Sequence, residues 1–144
     1  IFYYLEIYCQ TIQELPEVTK RIISYGKEYT VWVLMGDLGA GKTSFIQEVA
    51  RQMNVTDNIS SPSYALINEY LMPTQEKIYH FDLFRVKTVS EVLDLGFDEY
   101  LDSGFQCFIE WPEIAQSLLP ERYLEISILN PEKELRVFNI KKHG

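Results

Sequence analysis

Two hydrophobic periods take turns along this chain, one of two residues and one near 3.6, so strands and helices are expected to alternate. Residues 2–9 are rich in aromatic and β-branched types and predict a strand. A helix should follow: Pro16 suits a first helical position, Gly26 a left-handed stop, and Val18, Ile22 and Tyr25 form one apolar stripe between them. Residues 30–35, TVWVLM, are apolar on both faces, as in a strand covered on both sides within a parallel sheet. From 42 to 53 the helical period returns, with Phe45, Ile46, Val49, Ala50 and Met53 on one face. Residues 64–70 and 77–82 predict strands joined as a hairpin around Met72, Pro73 and Thr74. Ser90 is expected to cap a short helix carrying Val92, Leu93 and Leu95 and ended by Gly96, with a further helical turn at 98–101. Residues 106–110, QCFIE, read as a buried strand ending in an acid, from which Pro112 turns the chain away. Residues 123–129 and 135–140 flank Asn130, Pro131 and Glu132 as an antiparallel hairpin.

Composition narrows the class. At 144 residues the chain can bury roughly 70% of its unfolded surface without disulfides or metals. Its 47% hydrophobic and 24% charged residues exclude disorder and coiled coil for the whole chain. No repeat or Gly/Ser/Pro-rich linker divides it, so one domain over residues 1–144 is expected. The longest central apolar stretch, Val31 to Met35, is far short of the roughly 20 residues that cross a bilayer. No secretion leader is legible at the N-terminus, so a cytoplasmic protein without a membrane is expected. Cys9 and Cys107 stand apart with no metal-ligand spacing and read as reduced, structural thiols. A net charge of -8 repels polyanions, so this chain alone should not grip nucleic acid strongly.

One motif decides the chemistry. Residues 36–43, GDLGAGKT, match G-x-x-x-x-G-K-[ST], the phosphate-binding loop, between a buried strand and an amphipathic helix. Gly36 and Gly41 permit the backbone turns that aim amide N–H groups at a phosphate, and the helix adds its positive end. Lys42 brings a mobile positive charge, and the Thr43 hydroxyl can ligate Mg²⁺. The expected nucleotide-binding set is Gly36, Asp37, Leu38, Gly39, Ala40, Gly41, Lys42, Thr43 and Ser44.

Such a loop works with an acid at the end of a neighbouring strand. Asp82 closes IYHFD and Glu110 closes CFIE, and both strand ends should share the sheet edge that carries the loop. The common guanine-recognition segment N-K-x-D and the D-x-x-G switch are both missing, which favours ATP. The arginines (Arg21, Arg51, Arg85, Arg122, Arg136) form no sequence cluster, which weakens a small-molecule kinase, the first alternative. A nucleotide-gated binding module is the second.

Several segments together resemble the bacterial TsaE (YjeE) ATPases of the pathway that makes threonylcarbamoyl-adenosine in tRNA. They are GDLGAGKT at 36–43, SPSY at 61–64 with NEY at 68–70, HFDLFR at 80–85, LDLGFDEY at 93–100 and IEWPE at 109–113. The resemblance implies an α/β, P-loop NTPase-like three-layer sandwich, its mixed sheet mostly parallel at the centre with antiparallel hairpins. It implies a Mg-dependent ATPase, weak alone, that works with TsaD and TsaB while tRNA is held mainly through that complex. Carried over by position, Thr43 and Glu110 are the Mg²⁺ ligands, Lys42 the phosphate contact, Asp82 a catalytic or water-orienting carboxylate, and Trp111 a neighbour of the nucleotide. His80 shares a strand face with Asp82 and is either a support for the site or a buried structural histidine; Arg85 faces either an acid or a phosphate. Two departures stand out: Ser63 where threonine is expected, which keeps a hydroxyl, and Phe84 where tyrosine is expected, which loses one. Residues 54–63 hold the expected switch, and Lys141, Lys142 and His143 are expected to end the chain as a solvated tail.

Overall fold

The computed structural model describes residues 4–56 and 66–144. Among these, seven strands form one mixed sheet: β1 (Tyr4–Cys9), β2 (Val31–Met35), β3 (Ile67–Leu71), β4 (Lys77–Asp82), β5 (Gln106–Glu110), β6 (Tyr123–Leu129) and β7 (Arg136–His143). Their order is β1-β7-β6-β2-β5-β4-β3. The pairs β2–β6, β2–β5 and β5–β4 run parallel, and the pairs β1–β7, β6–β7 and β3–β4 run antiparallel. The mostly parallel centre with antiparallel hairpins is therefore as expected.

The strand carrying the phosphate loop, β2, lies between β5 and β6, so the connections leave it in opposite directions. That is the switch point at which open α/β sheets hold ligands beyond the carboxyl ends of their strands.

Side-chain alternation sorts the core into two layers. Trp32 and Leu34 of β2, Phe108 of β5, Ile78 of β4 and Phe138 and Ile140 of β7 face helices α1 (Leu15–Tyr25) and α2 (Lys42–Gln52). Val31, Val33, Tyr79, Phe81, Cys107 and Ile109 face the other way, with α3 (Val89–Asp94), α4 (Phe97–Leu101) and the 3₁₀ segment Pro112–Leu118. Trp32 stacks on Phe45 at 6.4 Å and Phe81 meets Phe97 edge-on at 5.1 Å, anchoring one layer each. Full burial of one such ring contributes about 1.5–3 kcal/mol. The same parity carries the even-numbered His80, Asp82, Glu110 and Arg136 to the α2 side, the side of the phosphate loop.

Most element boundaries agree with the sequence pattern, and four details do not. Gly26 is not left-handed, at φ -102°. Its value is space: a Cβ there would lie 2.5 Å from Leu124 Cδ2. The cap of α3 is Thr88 and not Ser90, since the Thr88 hydroxyl accepts from the Glu91 amide at 3.3 Å. The spacing T-x-x-E already carried that signal. Strand β7 continues to His143, so the expected solvated tail is part of the sheet. His143 stacks on Tyr123 at 4.2 Å and reaches Glu125 at 3.1 Å, and Lys142 lies over the Tyr25 ring. Finally, β3 begins at Ile67; residues 2, 3 and 57–65, which include the SPSY segment and most of the expected switch, lie outside the described residues. No helix among the described residues is long and apolar enough to cross a membrane.

Candidate functional site

The chain leaves β2 at Met35 and enters α2 at Lys42 through a loop that only glycine can build. Gly41 sits at φ 110° as the residue before the helix. At Gly36, φ 152°, a Cβ would fall 2.7 Å from the Ile128 carbonyl oxygen on the adjoining strand. The loop thus closes against β6 while the amino end of α2 opens on a cavity of about 570 Å³. That is within the usual range for small-ligand pockets.

Leu38, Gly39, Gly41, Lys42, Thr43 and Ser44 form one wall of this cavity, with Arg136 against Gly41, and Asp82, Phe84, Arg85, Glu110 and Trp111 form the other; Leu66 also lines it. Gly36, Asp37 and Ala40 are turned instead toward a smaller cavity of about 330 Å³ beside Leu129 and Asn130. The Ala40 amide is taken up by the Asp37 carbonyl at 3.0 Å.

Asp82 and Glu110 are neighbours in register across the parallel pair β4–β5. Glu110 is almost fully buried, and one of its oxygens lies 2.6 Å from His80 Nε2. Tyr70 Oη lies 3.2 Å from the other ring nitrogen of His80. The histidine is thus the buried, hydrogen-bonded one of the two readings left open by the sequence, and its partner is the acid that ends β5. A Tyr70–His80–Glu110 chain fixes the carboxylate's rotamer, as outer-shell partners do for metal ligands. Asp82 is less buried, and one of its oxygens accepts the Phe84 amide at 3.0 Å.

Lys42 is 5% exposed. Its ammonium donates to the Gly36 carbonyl at 2.7 Å and sits 3.6 Å from the centre of the Trp111 ring. Burial pushes its pKa below the usual lysine value, against the raising pull of Glu110, Asp82, Glu113 and Asp37. Trp111 holds a left-handed backbone, φ 56° and ψ 60°, which is strained for an aromatic residue directly before a proline. The strain turns the chain sharply off β5 and lays the ring across Lys42, with Phe84 packed behind it at 4.8 Å. The Phe84 ring therefore has a packing role that does not require the absent hydroxyl.

Thr43, Asp82 and Glu110 offer hard oxygen donors around one cavity. No group of three or more His, Cys, Asp or Glu among the described residues forms an all-protein metal cage. Such a donor set suits Mg²⁺, which keeps waters and takes its remaining ligands from a bound phosphate. Arg136 was the residue sequence reasoning missed. It comes from the far end of the chain, and its signal was its place in the alternation with Phe138 and Ile140. Arg85 lies on the cavity wall, where the sequence left its partner open. Cys9 and Cys107 are buried free thiols, as expected, and burial pushes the Cys107 thiol up to about 12.

A family model described as threonylcarbamoyl adenosine biosynthesis protein TsaE matches residues 9–138. Curated relatives carry the name tRNA threonylcarbamoyladenosine biosynthesis protein TsaE. One from Rickettsia typhi is 38% identical over 92% of this chain and 91% of its own length. One from Bacillus subtilis is 35% identical over 81% of this chain and 72% of its own. The crystal structure of YdiB from Bacillus subtilis superposes with a TM-score of 0.79 at 27% identity, over 98% of this chain and 86% of that one.

Proposed function

From the premise that this chain belongs to the TsaE family, we propose that it is a Mg-dependent ATPase serving threonylcarbamoyl-adenosine modification of tRNA together with TsaD and TsaB. The observation that carries this reading is the meeting of three separate chain regions at one cavity: the loop at 38–44, Asp82 at the end of β4, and Glu110 with Trp111 at the end of β5.

In this reading the amide groups at the start of α2 and the Lys42 ammonium receive the phosphate tail, replacing water with fixed dipoles and one charge. The Lys42 ammonium exchanges its contact with the Gly36 carbonyl for phosphate oxygens. Thr43 and Glu110 hold Mg²⁺, which when bound neutralises charge on the phosphates and fixes their orientation. Glu110 is kept pointing into the site by His80. Asp82, half-buried beside it, orients the attacking water. Trp111 covers Lys42 on the open side and lowers access of solvent to the ammonium.

TsaD performs the transfer to the adenosine beside the anticodon, and this subunit supports repeated rounds. A net charge of -8 agrees with tRNA being held mainly by the partners. The test is phosphate release from ATP by the full chain, alone and with TsaB, TsaD and tRNA. Slow release that rises with the partners and requires Mg²⁺ supports the proposal. Transfer of labelled phosphate to a metabolite instead would make the chain a kinase, and undiminished multi-round modification by an ATP-binding but hydrolysis-dead variant would make it a binding module.

A further inference from the structure

Arg136 stands at the first position of β7, reached from β2 by passing β6, while Asp82 and Glu110 stand on the opposite side of β2, on β4 and β5. Its guanidinium is laid flat against Gly41. A Cβ added to that glycine would lie 2.8 Å from Arg136 Cζ and 2.9 Å from Nη1. The turn holding it there is built in: with the Asn130 amide oriented so that its nitrogen faces the turn, that nitrogen donates to the carbonyl of Leu135, the residue before Arg136, at 2.8 Å and to that of Glu132.

Two features of this placement point to a missing anion. Nη1 of Arg136 is sealed from solvent and has no hydrogen-bond partner among the described residues. No ion pair is formed by Arg136 among the described residues either. An unsatisfied buried donor is costly, and more so on a charged group. The guanidinium also lines the cavity that holds Lys42 and the positive end of α2, on the side of β2 away from Asp82 and Glu110.

We propose that Arg136 is a nucleotide-contacting residue, its guanidinium donating to the part of the polyphosphate that lies over Gly41, on the side of the loop away from the acids. This rests on the reading of the cavity as an ATP site. Because Asp82 and Glu110 gather around the phosphate that leaves, the oxygens over Gly41 belong to the portion that ATP and ADP share. Arg136 therefore holds both nucleotides alike. An arginine acting on the leaving phosphate would instead favour ATP and the transition state.

The experiment is equilibrium binding of ATP and of ADP, with Mg²⁺, to the full chain and to its Arg136→Gln and Arg136→Lys variants, with kcat and KM for hydrolysis and the unfolding midpoint of each ligand-free variant. Expected are a 10- to 100-fold loss of affinity for both nucleotides in Arg136→Gln, as for one charge-assisted hydrogen bond, partial rescue by Arg136→Lys, an affected KM with kcat nearly kept, and a ligand-free midpoint that does not fall. In the wild-type chain, the Arg136 guanidinium NMR resonance should shift on addition of ADP. The resonance tests the inference even if the variants fold poorly. Unchanged affinity in a folded Arg136→Gln, a loss confined to ATP or to kcat, or a resonance indifferent to ADP overturns it. Wild-type chain that binds neither nucleotide overturns the ATP reading as well.

Discussion

The two walls of the cavity are built by different means. The loop wall, 38–44, is one run of sequence whose shape follows from two glycines and the strand and helix on either side. The facing wall is assembled from three places: Asp82 and Phe84 at and just past the end of β4, Glu110 and Trp111 at and just past the end of β5, and His80 and Tyr70 behind them. A local wall can be damaged only by changing its own residues. An assembled wall can be damaged from behind, through residues that never touch a ligand.

Substitutions that separate the two walls give graded outcomes. The largest effect should come from Lys42→Ala, with hydrolysis down by about 10³-fold, as for loss of a group that stabilises developing charge. Phosphate-release assays on the folded variant check this, and near-normal turnover would remove Lys42 from the phosphate contact. On the assembled wall, Glu110→Ala should also abolish hydrolysis while circular dichroism stays native. Wild-type turnover would reject Glu110 as a metal ligand.

A smaller effect distinguishes support from ligation. His80→Ala should weaken apparent Mg²⁺ affinity by roughly 10- to 100-fold, as outer-shell changes do, while Mg²⁺ in excess restores most of kcat. Recovery by His80→Gln, which keeps a donor toward Glu110, would sharpen the assignment, and loss of kcat that excess Mg²⁺ does not recover would place His80 in the reaction itself.

Smaller again is the change in Trp111 fluorescence when ATP draws Lys42 from beneath the ring. Trp32, buried in the α1/α2 layer and bonded through its indole N–H to the Tyr29 carbonyl at 2.7 Å, should not respond. Trp111→Phe should therefore abolish the signal, and a signal that survives would contradict the stacking on Lys42.

The smallest effect is expected behind β5. Cys107 faces away from the cavity, under α4, so Cys107→Ala should leave turnover unchanged. With its thiol pushed up to about 12 from the ordinary value of 9.0, the folded chain holds a proton that the unfolded chain releases above pH 9. Its contribution to stability is complete below pH 9 and lost as pH rises toward 12. Denaturant unfolding across that range should show a steeper fall for the wild type than for Cys107→Ala.

Strand parity explains why much of the facing wall was legible. Asp82 and Glu110 are the terminal residues of strands whose inner positions are plainly apolar, so their edge and face follow once the pairing is parallel. Thr88, Gly26 and the end of β7 were misread for local reasons: two hydroxyls compete to cap one helix, a glycine is required by Leu124 and not by its own dihedral angles, and Lys141, Lys142 and His143 pass for a tail because their partners, Tyr25, Tyr123 and Glu125, are far away in the chain.

By itself the amino-acid order determined what depends on neighbours a few residues apart: the alternation of strands and helices, the phosphate loop, its lysine and its threonine, and the acids that end two buried strands. Tertiary structure alone decided the rest. It bonded His80 to Glu110, set Trp111 across Lys42 in a strained turn, and brought Arg136 to Gly41. Such contacts arise from sheet order and side-chain direction, which depend on how distant strands pair, and a local pattern carries no record of the pairing.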